Sequence, residues 1–425
     1  MLKSAVVIAL LAASFLGVGL AYAIGAAGVA GFGLFGMGDF LAALPRRAFS
    51  QIDVFALMAM PLFILVGELM NRGGIAKALI DLASLLVGRA KGGLGHVNVA
   101  SSVFFAGISG SAMADAAALS STLVPAMKEN GYSGAYAGAI TAASSIIGPL
   151  IPPSIILIFY GAIMNVDVAA LFAGAIAPGL VLSAALFLAN GVFAKVYNHP
   201  TLGERPPFFK TVKRASLALV LPVIIVGGIV FGVVTPTEAG ALAVIAALAV
   251  IAFYGAFDWR TVKGALFQAT LFTGAIFAIM FASAAVNFMA ALVGAPVVIS
   301  NWLSAQGLDL NQYLAALTCI FILTGMFLDT QIALILLAPV LVPAAYPLGG
   351  DPVHLGVVVC FTMTLGLITP PLGGVVLVVS AATREPYWSL MRALVPFILI
   401  ELCVLVLMLY SPGLVLALPR GLGLL

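Results

Sequence analysis

The 425-residue chain is 63% hydrophobic and only 8% charged, with a mean hydropathy of +1.23 and a net charge of +3. Soluble domains carry about 25% charged residues, so a water-soluble globular fold is excluded. Apolar runs near the roughly 20-residue spanning length follow one another with little pause, which describes one polytopic all-α membrane unit.

Lys3 precedes an apolar stretch containing Ala21-Tyr22-Ala23, the outline of a secretory leader, but apolar residues continue from Ile24 through Phe35. An uncleaved first span is therefore expected. Spans are predicted over 4–36, 53–71, 75–88, 134–164, 168–194, 215–234, 238–256, 264–298, 353–382 and 390–411. Two further apolar segments, near 93–128 and 308–346, are interrupted by small and polar residues, and each is read as a re-entrant hairpin. Cys319, Cys360 and Cys403 sit inside apolar runs without pairing or metal-ligand spacing.

Lys and Arg accumulate at the cytoplasmic ends of spans. With the N-terminus outside, the cytoplasmic connections hold Arg46, Arg47, Arg89, Lys91, Lys128, Lys195, Arg205, Lys210, Lys213, Arg214, Arg260, Lys263, Arg384 and Arg392, leaving Lys3, Arg72, Lys77 and Arg420 outside. Omitting the hairpins would flip later loops and spoil this partition. The longest hydrophilic stretch, Tyr197 to Arg214, reads as a cytoplasmic linker between halves.

Sliding the chain against itself by 218 residues superposes Gly107 on Gly325, Leu123-Val124-Pro125-Ala126 on Leu341-Val342-Pro343-Ala344, and Gly148 on Gly366. It also pairs Pro152-Pro153 with Pro370-Pro371, and Pro178 with Pro396. The charge pattern has the first hairpin opening from the cytoplasm and the second from outside, so two inverted-topology repeats are predicted, each with a hairpin and a broken helix. Such repeats place sites near the bilayer midplane in secondary transporters.

The first tip reads Gly107-Ile108-Ser109-Gly110-Ser111-Ala112-Met113-Ala114-Asp115 and the second Gly325-Met326-Phe327-Leu328-Asp329-Thr330-Gln331. Non-helical backbone at membrane depth must line a cavity or be buried in protein. Downstream, Gly148 to Ser154 and Gly366 to Gly374 break a helix at a double proline, which frees carbonyls from the ladder. Those carbonyls, with the hydroxyls of Ser109 and Thr369, suit a hard cation such as Na⁺, and the restarted helices aim positive dipole ends at an anion. Asp115 and Asp329 either serve the site or cap the helix after each tip. Glu68 and Arg72 read as an i,i+4 pair, and Glu401 as a partner contact or a polar network. His96, His199 and His354 have no catalytic company. No cationic residue lies near either tip in the sequence, so helix ends and hydroxyls would have to bind the anion. No phosphate loop, nucleophile elbow or zinc pair is present. Neither ATP hydrolysis, nor enzymatic chemistry, nor a nucleic-acid partner is expected.

The segment Gly228-Ile229-Val230-Phe231-Gly232-Val233-Val234-Thr235-Pro236-Thr237-Glu238-Ala239-Gly240 resembles a signature of the large membrane subunit of TRAP (tripartite ATP-independent periplasmic) transporters. Ser109 to Asp115, Pro152-Pro153-Ser154 and Thr369-Pro370-Pro371 resemble the same subunit, along essentially the whole chain. The resemblance implies a multi-pass subunit of the bacterial inner membrane, working in the lipid bilayer with a small four-helix membrane subunit and a periplasmic substrate-binding protein. It implies elevator-type, Na⁺-coupled uptake of an organic acid such as a dicarboxylate or sialic acid, with two or more ions. Sodium sites are implied at Ser109, Gly148, Ile151 and Pro153, and at Gly325, Gly366, Thr369 and Leu372. Substrate contacts are expected from Ser111, Asp115, Ser154, Asp329, Thr330 and Gly373. The implied division is scaffold 1–88, transport half 89–166, scaffold 167–304 with linker 197–214, transport half 305–384, and a C-terminal helix and tail 385–425. A stand-alone carboxylate or proton-coupled transporter of a related inverted-repeat fold is the alternative.

Overall fold

The computed structural model describes residues 19–34, 36–201 and 206–425. Lys3, residues 4–18 and 35 of the first expected span, and residues 202–205 of the linker lie outside the described residues. The described chain is helical, with no strand among those residues. Seven helices are long and apolar enough to cross a membrane, or eight when one bent pair is counted as a span.

The first described helix, α1 (Leu20–Leu34), leads into the amphipathic α2 (Leu44–Ile52), which the sequence reading left as a connection. Next come α3 (Phe55–Arg72) and α4 (Ile75–Val87). The first hairpin is α5 (Gly93–Ser109) and α6 (Ala112–Glu129), followed by the broken helix α7 (Gly134–Leu150) and α8 (Ile155–Met164), bent by 40°. Helix α9 (Val168–Val196) enters the linker, from which α10 (Phe208–Val230) emerges; α11 (Pro236–Phe253) and α12 (Trp259–Leu292) follow. Helix α10 begins inside the expected linker and takes a π-turn over Val223–Gly227 after Pro222, because proline removes a ladder donor and crowds the preceding turn. The expected span 264–298 instead divides at Gly294, φ +63°, into α12 and α13 (Ala295–Ala305).

The second hairpin is α14 (Leu310–Gly325) and α15 (Thr330–Leu348), the second broken helix α16 (Pro352–Gly366) and α17 (Gly374–Thr383). Helices α18 (Tyr387–Tyr410) and α19 (Pro412–Gly421) close the chain. Both breaks contain a cis Pro-Pro bond, at Pro152-Pro153 and Pro370-Pro371. Helix α6 packs on α17, and α8 on α15, so one arm of each hairpin meets the other repeat's broken helix.

The packing corrects the expected course of the N-terminal third. Gly25, Gly28 and Gly31 of α1 back onto Ala282, Ala285 and Met289 of α12, so these helices run parallel. Helix α3 runs parallel to α11: the Thr237 hydroxyl donates to the Phe55 carbonyl at 3.3 Å, and Gly73 backs onto Ile251. The expected topology made both pairs antiparallel. Helix α4 has 13 residues, about 20 Å at 1.5 Å per residue, too short to cross. Its ends lie beside Ile251 and, through the Gly92 N–H to Pro200 carbonyl bond of 3.2 Å, beside the linker. The expected span 75–88 therefore stays on the linker side. Arg72 and Lys77 move to that side, whereas Arg46, Arg47 and Arg420 are the described basic residues on the other. The apolar run of α4 misled the sequence reading because burial against α5 and α10 calls for the same residues as a span.

The helices form two packing groups. Helices α1, α2 and α3 gather on α12, and α11 packs on α3, where small residues allow close backbone approach, the packing that joins helices in lipid. The hairpins and broken helices pack with α9, α18 and α19 around the fully buried rings of Phe105, Phe159, Phe172, Phe321, Phe361 and Phe397. Contacts place 168–196, which the sequence division gave to the scaffold, with the hairpin-bearing group, together with 387–421, which that division kept as a separate C-terminal helix and tail.

Candidate cation and substrate site

Helix α5 ends at Ser109, and Gly110 turns the chain with φ +60°. A Cβ there would lie 2.4 Å from the Pro153 carbonyl oxygen, so only glycine lets the tip press onto the break between α7 and α8. Ser111 caps α6, its hydroxyl accepting from the Ala114 N–H at 3.4 Å. Asp115, one turn into α6, is fully buried and does not cap. Its Oδ1 accepts from the Ser109 hydroxyl at 2.5 Å, while Oδ2 has no hydrogen-bond partner. A Cβ on Gly148 would lie 2.4 Å from that Oδ2. Ser109 and Gly148 thus meet at the Asp115 carboxylate, while Pro153 lies against Gly110 of the tip. Ile151 has its side chain against Gly179 of α9. The Ser154 hydroxyl donates to the Pro149 carbonyl and accepts from the Leu157 N–H at 3.3 Å, capping α8.

At the second tip, Asp329 caps α15 by accepting from the Gln331 N–H at 3.0 Å. Of the two roles left open for the aspartates, Asp329 has the capping geometry and Asp115 does not. Thr330 donates to Gln331 Oε1 at 3.3 Å. Gly325 meets Gly366 backbone to backbone: a Cβ on Gly366 would lie 2.5 Å from the Gly325 carbonyl carbon. The Thr369 hydroxyl turns back to the Leu365 carbonyl at 2.7 Å. Leu372 is 46% exposed, and its carbonyl and that of Pro371 accept from the Tyr387 hydroxyl at 3.1 and 2.9 Å. Gly373, φ +55°, starts α17. Gly325 and Gly366 are therefore brought together, while Thr369 and Leu372 are bonded elsewhere.

A cavity of about 690 Å³ opens between both tips, α3 and α12. Ser109, Ser111 and Asp329 line it; Asp115, Ser154, Thr330 and Gly373 are not among its lining residues. The sequence reading missed Glu68, Asn71, Arg72, Gln268 and Gln331, which complete its polar wall. Arg72 pairs with Glu68 at 3.1 Å, as the i,i+4 spacing predicts. Reversing α3 had moved both residues away from the tips, so their cavity role was hidden by a topological error and not by a weak motif.

Residues 7–414 match the family described as "Tripartite ATP-independent periplasmic transporter, DctM component". The chain belongs to this family. It is 37% identical to the sialic acid TRAP transporter large permease protein SiaM of Vibrio cholerae, over 88% of each chain. It is 33% identical to the C4-dicarboxylate TRAP transporter large permease protein DctM of Pseudomonas aeruginosa, over 91% of each. The solved YdaH transporter of Alcanivorax borkumensis, described as having an unusual topology, shares the fold with a TM-score of 0.61 over 89% of each chain at 17% identity. As a DctM-family permease the chain is a multi-pass transporter component of the bacterial inner membrane, not an enzyme. The family-like segment around Thr235 has a structural role here. Thr235 and Glu238 form a capping box that starts α11, the Thr235 N–H donating to Glu238 Oε2 at 2.8 Å.

Proposed function

We propose that this permease couples Na⁺ entry to uptake of an organic acid delivered by a periplasmic binding protein, together with a small membrane subunit. The observation that carries the coupling is Asp115: a buried carboxylate with one oxygen lacking any donor, beside Ser109 and the Gly148-to-Pro153 break. A lone buried charge is costly, and a hard cation with oxygen ligands removes that cost. Ser109, Asp115 and the freed carbonyls of the break form the first cation site. The Gly325–Gly366 contact supplies only backbone and small side chains for a second.

The substrate occupies the cavity between the tips and helices α3 and α12. Its acid class follows the named cargoes of relatives, sialic acid, C4-dicarboxylates and 2,3-diketo-L-gulonate. The two packing groups support an elevator movement in which hairpins and broken helices travel against α3 and α12 as one body, because the cavity lies at their mutual boundary. Uptake of radiolabelled acid into proteoliposomes holding the full system tests the coupling. Uptake should require an inward Na⁺ gradient, and equal uptake with K⁺ in its place would refute it.

A further inference from the structure

Among the described residues one basic side chain lines the cavity, and it is already engaged. Arg72 is the sole lysine or arginine among the described lining residues, and its Nε donates to Glu68 Oε2 at 3.1 Å. Both residues stand on α3, where Arg72 lies against Gly264 near the start of α12. The guanidinium is therefore at the linker-side mouth, while Ser111 and Asp329 sit at the tips. The bond to Glu68 uses one of five guanidinium donors, and the fork geometry suits a further carboxylate. Asn71 of the same wall can donate to a carboxylate only through its Nδ2, since its Oδ1, buried without a hydrogen-bond partner, is an acceptor. Gln268 of α12 brings another amide to the lining. An exposed i,i+4 ion pair adds little to helix stability, so stability alone gives weak reason to put this pair on a cavity wall.

We propose that Arg72, assisted by Asn71, is an inner-mouth station for the carboxylate of the transported acid, and that Glu68 is a built-in competitor for the guanidinium. The station rests on the organic-acid reading above and adds to it the residue that recognises the acid group. Its place is on the helix group apart from the hairpins. An anion leaving the tips meets a positive charge held on α3, and the acid exchanges places with Glu68 without leaving the guanidinium unpaired. A neutral ligand of the same size has no such exchange to make. Glu68 also sets a threshold, since only a carboxylate that competes with it holds the station.

Binding to the full-length chain in nanodiscs, in Na⁺ buffer, tests this with succinate and N-acetylneuraminate as probes and succinamide as the uncharged control. Arg72→Gln should weaken acid binding about 10- to 100-fold, the loss expected for a charge-assisted bond, and Arg72→Lys should recover part of it. Glu68→Gln should tighten acid binding, and succinamide should respond to none of these changes. Thermal melting of each variant reports whether it folds. Unchanged acid binding in Arg72→Gln, or equal weakening by Arg72→Gln and Glu68→Gln, would overturn the station while leaving the transport reading intact. A wild-type chain that binds neither acid would overturn the organic-acid reading and the station with it.

Discussion

Gly148→Ala puts a single methyl group into the proposed first cation site. The added Cβ would sit 2.4 Å from Asp115 Oδ2, whereas ordinary contact begins at 3.4 Å, so about 1 Å of movement is required. The carboxylate cannot yield freely, because Asp115 is fully buried and its Oδ1 is held by Ser109 at 2.5 Å. Turning it away breaks that bond, a charge-assisted interaction of about 1.5–3 kcal/mol. If Na⁺ depends on this arrangement, its apparent affinity falls roughly 10- to 100-fold. The assay is the Na⁺ concentration that half-saturates uptake in proteoliposomes, with Gly33→Ala, which has open space around it, as control. Asp115→Asn should lower Na⁺ affinity by a similar factor, and the double variant should lose much less than the product of the two. An unchanged half-saturating Na⁺ concentration in Gly148→Ala, with normal expression, would refute the site.

The remaining predictions concern capping, topology and the linker. Asp329→Ala should lower thermal stability by about 0.5–2 kcal/mol through loss of the α15 cap, whereas Asp329→Asn keeps it; thermal melting of the purified variants measures this. A membrane-impermeant maleimide applied to intact cells should label Arg47→Cys and leave Lys77→Cys unlabelled until permeabilisation; the reverse pattern would restore the orientation read from sequence. His199 packs between the rings of Tyr132, Tyr136 and Tyr197, and its burial lowers its pKa from the ordinary 6.5. The folded chain then holds the neutral ring while the unfolded chain takes up a proton. Its stability contribution is present above pH 6.5 and is lost as pH falls through the lower folded value; in His199→Phe the melting temperature should decline less steeply over that range.

Hairpins, broken helices and the linker were legible because each leaves a local mark, a Gly-bounded tip, a Pro-Pro pair or a run of charge. The 218-residue register is also structurally meaningful at the tips, where it pairs unlike residues. Ser111 pairs with Asp329 in that register, and these two residues are the N-caps of α6 and α15. What the sequence concealed was relational. A buried 13-residue helix and a membrane span share one composition, so α4 was counted as a crossing and the direction of α1 and α3 was reversed. Glu401 shows the same limit: its position in an apolar span was plain, but not that both carboxylate oxygens are buried without a hydrogen-bond partner. Arg72 was lost for the topological reason alone.

The 218-residue register changes how the two tips compare. Since the caps correspond, Asp115 has no capping task, and its equivalent in the second repeat is the buried Ala333. One tip carries a carboxylate with a spare oxygen, and the other meets its broken helix where Gly325 lies against Met363 and Gly366. On the proposed coupling, a cation at the first tip is neutralised locally, while one at the second must be held by dipoles from carbonyls and hydroxyls. A full negative charge attracts a cation more strongly than dipoles do, so on that proposal the first site would fill at lower Na⁺ concentration. The second then fills near a tip whose Asp329 also lines the substrate cavity. Ser109 and Ser111 of the first tip line the same cavity, so on the proposed coupling Na⁺ at either hairpin would bear on acid binding.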